Sequence, residues 1–244
     1  MAAIGDGYGS ECHLLRYLGR HREQLDKAVI EATGAARLRW LDYPFEPKQK
    51  WKDGRWSGLD FLPENDKARK KWPGFLPPQD RLQQWDAVAL AEIDGAVEWV
   101  LVEAKAHLDE LRSDCLASVG NGLGPIRDAF SEIKRSLGVH EVRDWLHGYF
   151  QYCNRIAALW FLHRHKMKAR LLFVYFTGDE FPMHAFECPD DAAGWEPALG
   201  QRRKHVGLPA DHALTAHMHE IFLPVVGPKS AASSRAAPRQ SARR

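Results

Sequence analysis

Residues 84–107 read QWDAVALAEIDGAVEWVLVEAKAH, two apolar runs on either side of Asp94-Gly95. An Asp-Gly pair favours a two-residue hairpin turn, because both central positions must tolerate φ > 0. With that turn as the loop, Ile93 pairs with Ala96, and counting outward sets Asp86 directly opposite Glu103. Directly opposed residues share a sheet face, so the two carboxylates are expected about 5 Å apart at Cβ. Lys105 lies two residues beyond Glu103 and shares that face. Like charges so opposed destabilise a sheet unless something between them compensates. A divalent cation compensates, and carboxylate oxygens suit magnesium. A bulge near Asp86 would shift this register.

The run Val97, Trp99, Val100, Leu101 and Val102 lacks clean alternation, which predicts a strand covered on both faces. Glu and Lys in such a place are rarely buried unless paired or bound to metal. A structural Glu–Lys pair at a strand end is the plain alternative, and the E-x-K triplet by itself is weak. The apolar run before it and the opposed Asp86 give it weight.

Asp86, sixteen intervening residues and then Glu103-Ala104-Lys105 resembles the signature of the PD-(D/E)xK, or restriction-endonuclease-like, nuclease superfamily. The wider context is similar to an uncharacterised bacterial group within it: SECHLLRYLGRHR at 10–22, LVEAKAH at 101–107, QYCNRIAALWFL at 151–162 and ARLLFVYFTGD at 169–179. Trp85 precedes Asp86 where the signature has Pro. The resemblance covers roughly residues 10–180. It implies an α/β fold with a restriction-endonuclease-like core, a central mixed sheet flanked by helices in the order αβββαβ. It also implies a magnesium cofactor, with manganese as a substitute, and DNA as the substrate. Asp86, Glu103 and Lys105 are then the catalytic residues. Asp86 and Glu103 would be metal ligands, joined by Glu11, since an acidic residue on the first helix often completes the metal site in this superfamily. Glu11 also suits the dipole at a helix start, which explains it without a site.

Composition is that of a globular chain: 244 residues, 45% hydrophobic and 27% charged, enough for one large domain with a sizeable core. No apolar run approaches the roughly 20 residues that span a membrane, so no membrane partner is expected. The start, MAAIGDGYGSECH, lacks the basic and apolar segments of a secretory signal. Cys12, Cys115, Cys153 and Cys188 are scattered, with no CxxC pair. They read as cytosolic thiols and suggest a cytoplasmic protein. The net charge of +2 hides an asymmetry: Lys229, Arg235, Arg239, Arg243 and Arg244 are basic, and without them residues 1–227 stand at −3. Residues 228–244 are predicted to be a disordered basic tail after a domain over 1–227. Such a tail either contacts phosphates or merely solubilises.

Along the chain, Ser10 can cap a helix whose apolar positions continue to Gly34. Residues 37–45 read as a strand. Five prolines and three tryptophans at 46–80 predict an irregular insertion packed by its own aromatics. The hairpin strands are expected at about 83–93 and 96–106. A Gly-rich loop at 120–124, lacking a phosphate-loop ending, leads to helices at 126–137 and 142–167. A strand follows at 171–176 and helical residues at 213–222.

Gln151, Asn154 and Arg155 fall on one face of the predicted long helix. Gln151 and Asn154 are candidates to hold substrate phosphate or water, or else they form the solvated face. His107 follows Lys105 by two residues and is expected on the same face, either as a further substrate-phosphate contact or as an ordinary strand-end histidine. The remaining histidines match no metal-ligand spacing. The reading is a magnesium-dependent endonuclease of DNA, and the alternative is a non-catalytic nucleic-acid-binding or scaffold protein on the same fold. A cutter of both strands with one site per chain would act as a homodimer. No sequence-reading module is evident, so a partner protein would supply specificity.

Overall fold

A computed structural model describes residues 8–43, 55–77, 83–180 and 187–227, and the fold is α/β. Its centre is a five-stranded mixed sheet in the order β1-β4-β5-β6-β7: β1 (Arg37–Trp40), β4 (Ala87–Ile93), β5 (Ala96–Lys105), β6 (Ala169–Thr177) and β7 (Met218–Pro224). The first three strands are antiparallel neighbours, and β6 and β7 join parallel to β5. The hairpin is the expected one. Asp94 and Gly95 both have positive φ (50° and 72°), and Ile93 pairs with Ala96 through to Ala87 with Val102.

Two helical layers cover the sheet. On one face, α1 (Ser10–Gly19) and α2 (Arg22–Thr33) bring Leu14, Tyr17, Leu25 and Val29 onto Ala89, Val100, Val102 and Ala104. On the other, α4 (Leu123–Leu137), α5 (Phe150–Arg164) and α6 (Ala192–Val206) cover Val88, Leu101, Phe173 and Tyr175. Val100 to Ala104 are therefore all buried, the double coverage that the unbroken apolar run predicts.

Several expected elements differ. The helix from Ser10 breaks at Arg20 and His21, and Gly9 is its cap. Ser10 Oγ instead donates to Glu110 Oε1 at 3.2 Å. The helix predicted from 142 begins only at Phe150. Before it, the Asp144 carboxylate accepts the Leu146 and His147 amides at 2.8 and 3.1 Å, and Gly148 has φ 79°. The helix α6 has no counterpart in the sequence prediction, while residues 213–222 form a short 3₁₀ turn (Thr215–His217) and then strand β7.

The insertion is more regular than predicted. Trp56–Ser57 is a short strand β2, paired with β3 (Gln84–Trp85), and α3 (Lys67–Phe75) is capped by the Asp66 carboxylate. Its aromatics pack outward onto the main core, not on one another alone. Trp72 meets Phe161, Phe75 meets Trp160, and Phe61 meets Trp99. Residues 44–54 and 78–82, which include the end of the predicted strand 37–45 and parts of the predicted insertion, lie outside the described residues, as does the predicted tail at 228–244.

A candidate active site where two sheets meet

Asp86 stands between β3 and β4, at the point where the chain leaves the small sheet and enters the large one. In the small sheet Trp56 pairs with Trp85 and Ser57 with Gln84. One further step sets Arg55 opposite Asp86. In the large sheet Ala87 pairs with Val102, and one further step sets Glu103 opposite it. The backbone is locally displaced, since the Asp86 amide bonds the Val102 carbonyl at 3.1 Å. The same residue is thus flanked by a cation from one strand and an anion from another.

Its carboxylate is fully engaged. Oδ2 accepts the Ala104 amide at 2.8 Å, and Oδ1 accepts from Arg55 Nη1 at 3.1 Å. Arg55 Nη2 also donates to Gln84 Oε1 at 2.9 Å. Burial first, and then repulsion from Glu103, push the Asp86 carboxyl up to about 6, against the opposing pull of Lys105, the Ala104 amide and Arg55. The two carboxylates are therefore close enough to feel each other.

Glu103 is buried with two cations. Lys105 Nζ donates to Oε1 at 2.5 Å and Arg155 Nε to Oε2 at 2.7 Å. Burial alone would raise its pKa, but the Arg155 guanidinium and the Lys105 ammonium outweigh it and hold the group below its ordinary value. Lys105 Nζ also donates to Gln151 Oε1 at 2.8 Å.

This ladder has a simple geometric basis. Gln151 and Arg155 are one helical turn apart, about 6 Å along α5, and Lys105 and Glu103 are two strand residues apart, about 6.6 Å. The helix runs against β5, so Gln151 meets Lys105 and Arg155 meets Glu103 in matching order. Arg155 is further fixed by donation to the Gln84 carbonyl at 2.5 Å and by stacking 4.5 Å over the Trp85 ring.

The other candidates are placed differently. Asn154 is buried one residue off the Gln151–Arg155 stripe, and its Nδ2 has no hydrogen-bond partner. His107 does not accompany Lys105. The strand ends at Lys105, and the His107 ring turns to Asp179, with Nε2 at 3.1 Å from Oδ2. His13 of α1 stands 2.8 Å from the other oxygen of Asp179, so His107 belongs to a cluster shared with the first helix. Burial alone would raise the Asp179 pKa, but hydrogen bonds from His107, His13 and the Gly9 amide hold it far below the usual carboxylate range. Glu11 sits on α1, whose core residues pack on the Val102 and Ala104 face, opposite to Lys105. Among the described residues, no group of three His, Cys, Asp or Glu side chains is arranged to hold a metal.

The donor set still fits magnesium. Asp86 and Glu103 are two hard carboxylates, one at the entry to β4 and one in β5, and the charge of Glu103 helps to raise the Asp86 pKa. A divalent ion turns that repulsion into attraction, and magnesium commonly uses one or two carboxylates with water and substrate phosphate for the rest.

Beside Lys105 lies a small recess, whose walls include Glu103, Lys105, Gln151, Tyr152, Tyr175 and Arg202. The buried Arg202 donates to the Tyr175 hydroxyl and, at 2.6 Å, to Glu220, and it lies 4.0 Å over the Tyr152 ring. Burial pushes the Tyr152 hydroxyl up to about 12, which keeps it a neutral donor. Arg55 and Arg202 have no motif to announce them. The i, i+4 relation of Gln151 and Arg155 was the available signal for the latter's role. Comparison with family models, with curated proteins and with solved structures finds no match to this chain.

Proposed function

We propose that the chain is a metal-dependent nuclease of the restriction-endonuclease-like class, hydrolysing phosphodiester bonds in DNA. One observation carries the reading: Asp86 and Glu103 are buried together across neighbouring strands, with Lys105 held beside them by Gln151. The succession of α1 and α2, then β1, β4 and β5, then α4 and α5, then β6 also follows the αβββαβ order of that class.

Asp86 and Glu103, with the Ala104 carbonyl, would hold magnesium or manganese. Such an ion, when bound, supplies Lewis-acid stabilisation of charge on the phosphate and acidifies water. Lys105 orients the attacking water and stabilises the negative charge that develops on the phosphate oxygens. Gln151 fixes the ammonium in place, and Arg155 keeps Glu103 ionised. In the reaction, the water oxygen bonds to phosphorus, the bond to the leaving sugar oxygen breaks, and that oxygen gains a proton. Metal-dependent cutting of supercoiled plasmid and single-stranded circular DNA tests the proposal.

The scaffold alternative draws on a different observation. Every carboxylate oxygen of the pair already accepts a hydrogen bond from Arg55, Ala104, Lys105 or Arg155. The two readings separate on whether one of those donors leaves when metal arrives.

A further inference from the structure

The helix α3 buries aromatics on one side and shows lysine on the other. Ala68, Trp72 and Phe75 turn inward, where Trp72 meets Phe161 and Phe75 stacks on Trp160. At about 100° per residue, Lys67, Lys70 and Lys71 fall on the opposite side, and all three are exposed. The lysine ion pairs among the described residues are Lys27–Glu31 and Lys105–Glu103, so the three ammonium groups of α3 have no carboxylate partner there. The nearby acids are committed elsewhere or lie off the helix. Asp60 pairs with Arg69, Asp66 caps the Ala68 and Arg69 amides, and Glu64 stands in the turn before α3.

This arrangement runs against the helix's own electrostatics. Lys67 repels Lys70 at i,i+3 and Lys71 at i,i+4. The charges also crowd the first half of the helix, the positive end of its dipole, and no acid stands in the first turn. Local rules of this kind are broken where a surface serves something other than stability. The chain's +2 less the five basic residues of 228–244 leaves residues 1–227 at −3, so the lysine face is a local concentration of positive charge on an acidic body. Its complement is a polyanion.

The same helix is tied to the strand that enters the site. Trp72 Nε1 donates to Gln83 Oε1 at 3.3 Å, and Gln83 Nε2 donates to the Leu76 and Pro77 carbonyls at 3.3 and 3.0 Å. Gln83 precedes Asp86 by three residues, about 10 Å of extended chain, and the helix itself is about 10–12 Å across. The lysine face is therefore on the order of 20 Å from Asp86, or about six base pairs of duplex at roughly 3.4 Å each. Resting on the nuclease reading above, we infer that Lys67, Lys70 and Lys71 form a phosphate-holding surface for duplex DNA remote from the cut. From Lys67 to Lys70 and Lys71 the helix rises about 4.5–6 Å, against one charge per roughly 3.4 Å of each strand, so the face meets two or three phosphates. Such contacts position the duplex without reading its bases.

The test compares the full-length wild type with a variant carrying Lys67→Gln, Lys70→Gln and Lys71→Gln. A second variant, Lys27→Gln with Lys166→Gln and Lys168→Gln, makes the same charge change at other exposed positions. Glutamine is a good helix former, so all three proteins should melt alike. Fluorescence anisotropy in EDTA reads binding to labelled duplexes of about 30 and about 8 base pairs, between about 50 and 200 mM KCl. On the long duplex the α3 variant should lose about 2–3 from the slope of log K against log salt, and bind about tenfold or more weakly near 100 mM. The second variant should stay within about twofold of wild type, and on the short duplex all three should agree within about twofold. With magnesium, the α3 variant should raise KM and keep kcat at saturating long duplex. An unchanged slope and Kd would overturn the inference and leave an acidic protein as the partner that fits the face. An equal loss in the second variant, or an equal loss on the short duplex, would also overturn it, and in each of these cases the nuclease reading stands. Wild type that binds neither duplex at low salt and cuts no DNA in magnesium would contradict the nuclease reading itself, and the inference with it.

Discussion

Lys105 and Gln151 are joined by a 2.8 Å hydrogen bond from the ammonium to the side-chain oxygen, and this bond links the strand that carries the carboxylate to the helix that covers it. Gln151→Ala leaves the ammonium attached to Glu103 alone and free to turn. Removing a supporting partner of this kind lowers activity about 10–100-fold, while the lost hydrogen bond costs only about 1 kcal/mol of stability. Cleavage kinetics together with thermal melting would show a fall in kcat larger than any change in KM, with little loss of melting temperature.

Asp86 makes stability depend on pH in a direction opposite to an ordinary paired carboxylate. Its folded pKa of about 6 lies above the reference value of 3.8. Its favourable contribution is therefore fully present below the unfolded pKa and is lost as pH rises through about 6. Asp86→Asn does not titrate. In metal-free buffer, wild-type stability minus that of Asp86→Asn should fall by on the order of 2–3 kcal/mol between pH 4 and pH 8. Chemical denaturation across that range checks it, and a constant difference would remove the account of the site's electrostatics.

Arg155 should be structural in its energetics although it stands in the site. Arg155→Met leaves Glu103 with Lys105 as its remaining charged partner in a buried place. Breaking a buried pair from one side costs about 3–5 kcal/mol. The loss should appear in urea unfolding as a lowered midpoint, and a variant of unchanged stability would show that Arg155 does not hold Glu103.

Gly58 tests whether the insertion is built onto the core. Its φ is +51°, and a Cβ there would fall 2.7 Å from Trp72 Nε1, which itself donates to Gln83. Gly58→Ala should destabilise the protein by about 2 kcal/mol or more through combined backbone strain and overlap. It should also disturb the β2–β3 pairing that sets Arg55 against Asp86, and a lowered melting temperature would report the loss.

The hairpin was legible because its signal is local: Asp94-Gly95 sets the turn, the turn sets the register, and the register sets Asp86 near Glu103. The same holds for Gln151, whose spacing from Arg155 matches the strand. The helix α6 was hidden because Pro197, Gly194 and Gly200 mask a buried series of Trp195, Leu199, Arg202 and Val206 at helical spacing. His107 departs from the strand period because the strand ends at Lys105 and the chain then turns to reach Asp179. Arg55 was invisible for a different reason. Its place follows from the pairing of two-residue strands 28 positions apart in sequence, which no local pattern encodes.

The central claim is decided by incubating supercoiled plasmid and single-stranded circular DNA with wild type and Lys105→Ala, in magnesium and in EDTA. The account predicts cutting by wild type in magnesium alone, reduced at least about 100-fold in a Lys105→Ala protein that melts at the same temperature. Wild type that binds no metal and cuts neither DNA, or a Lys105→Ala protein that cuts at the wild-type rate, would contradict it.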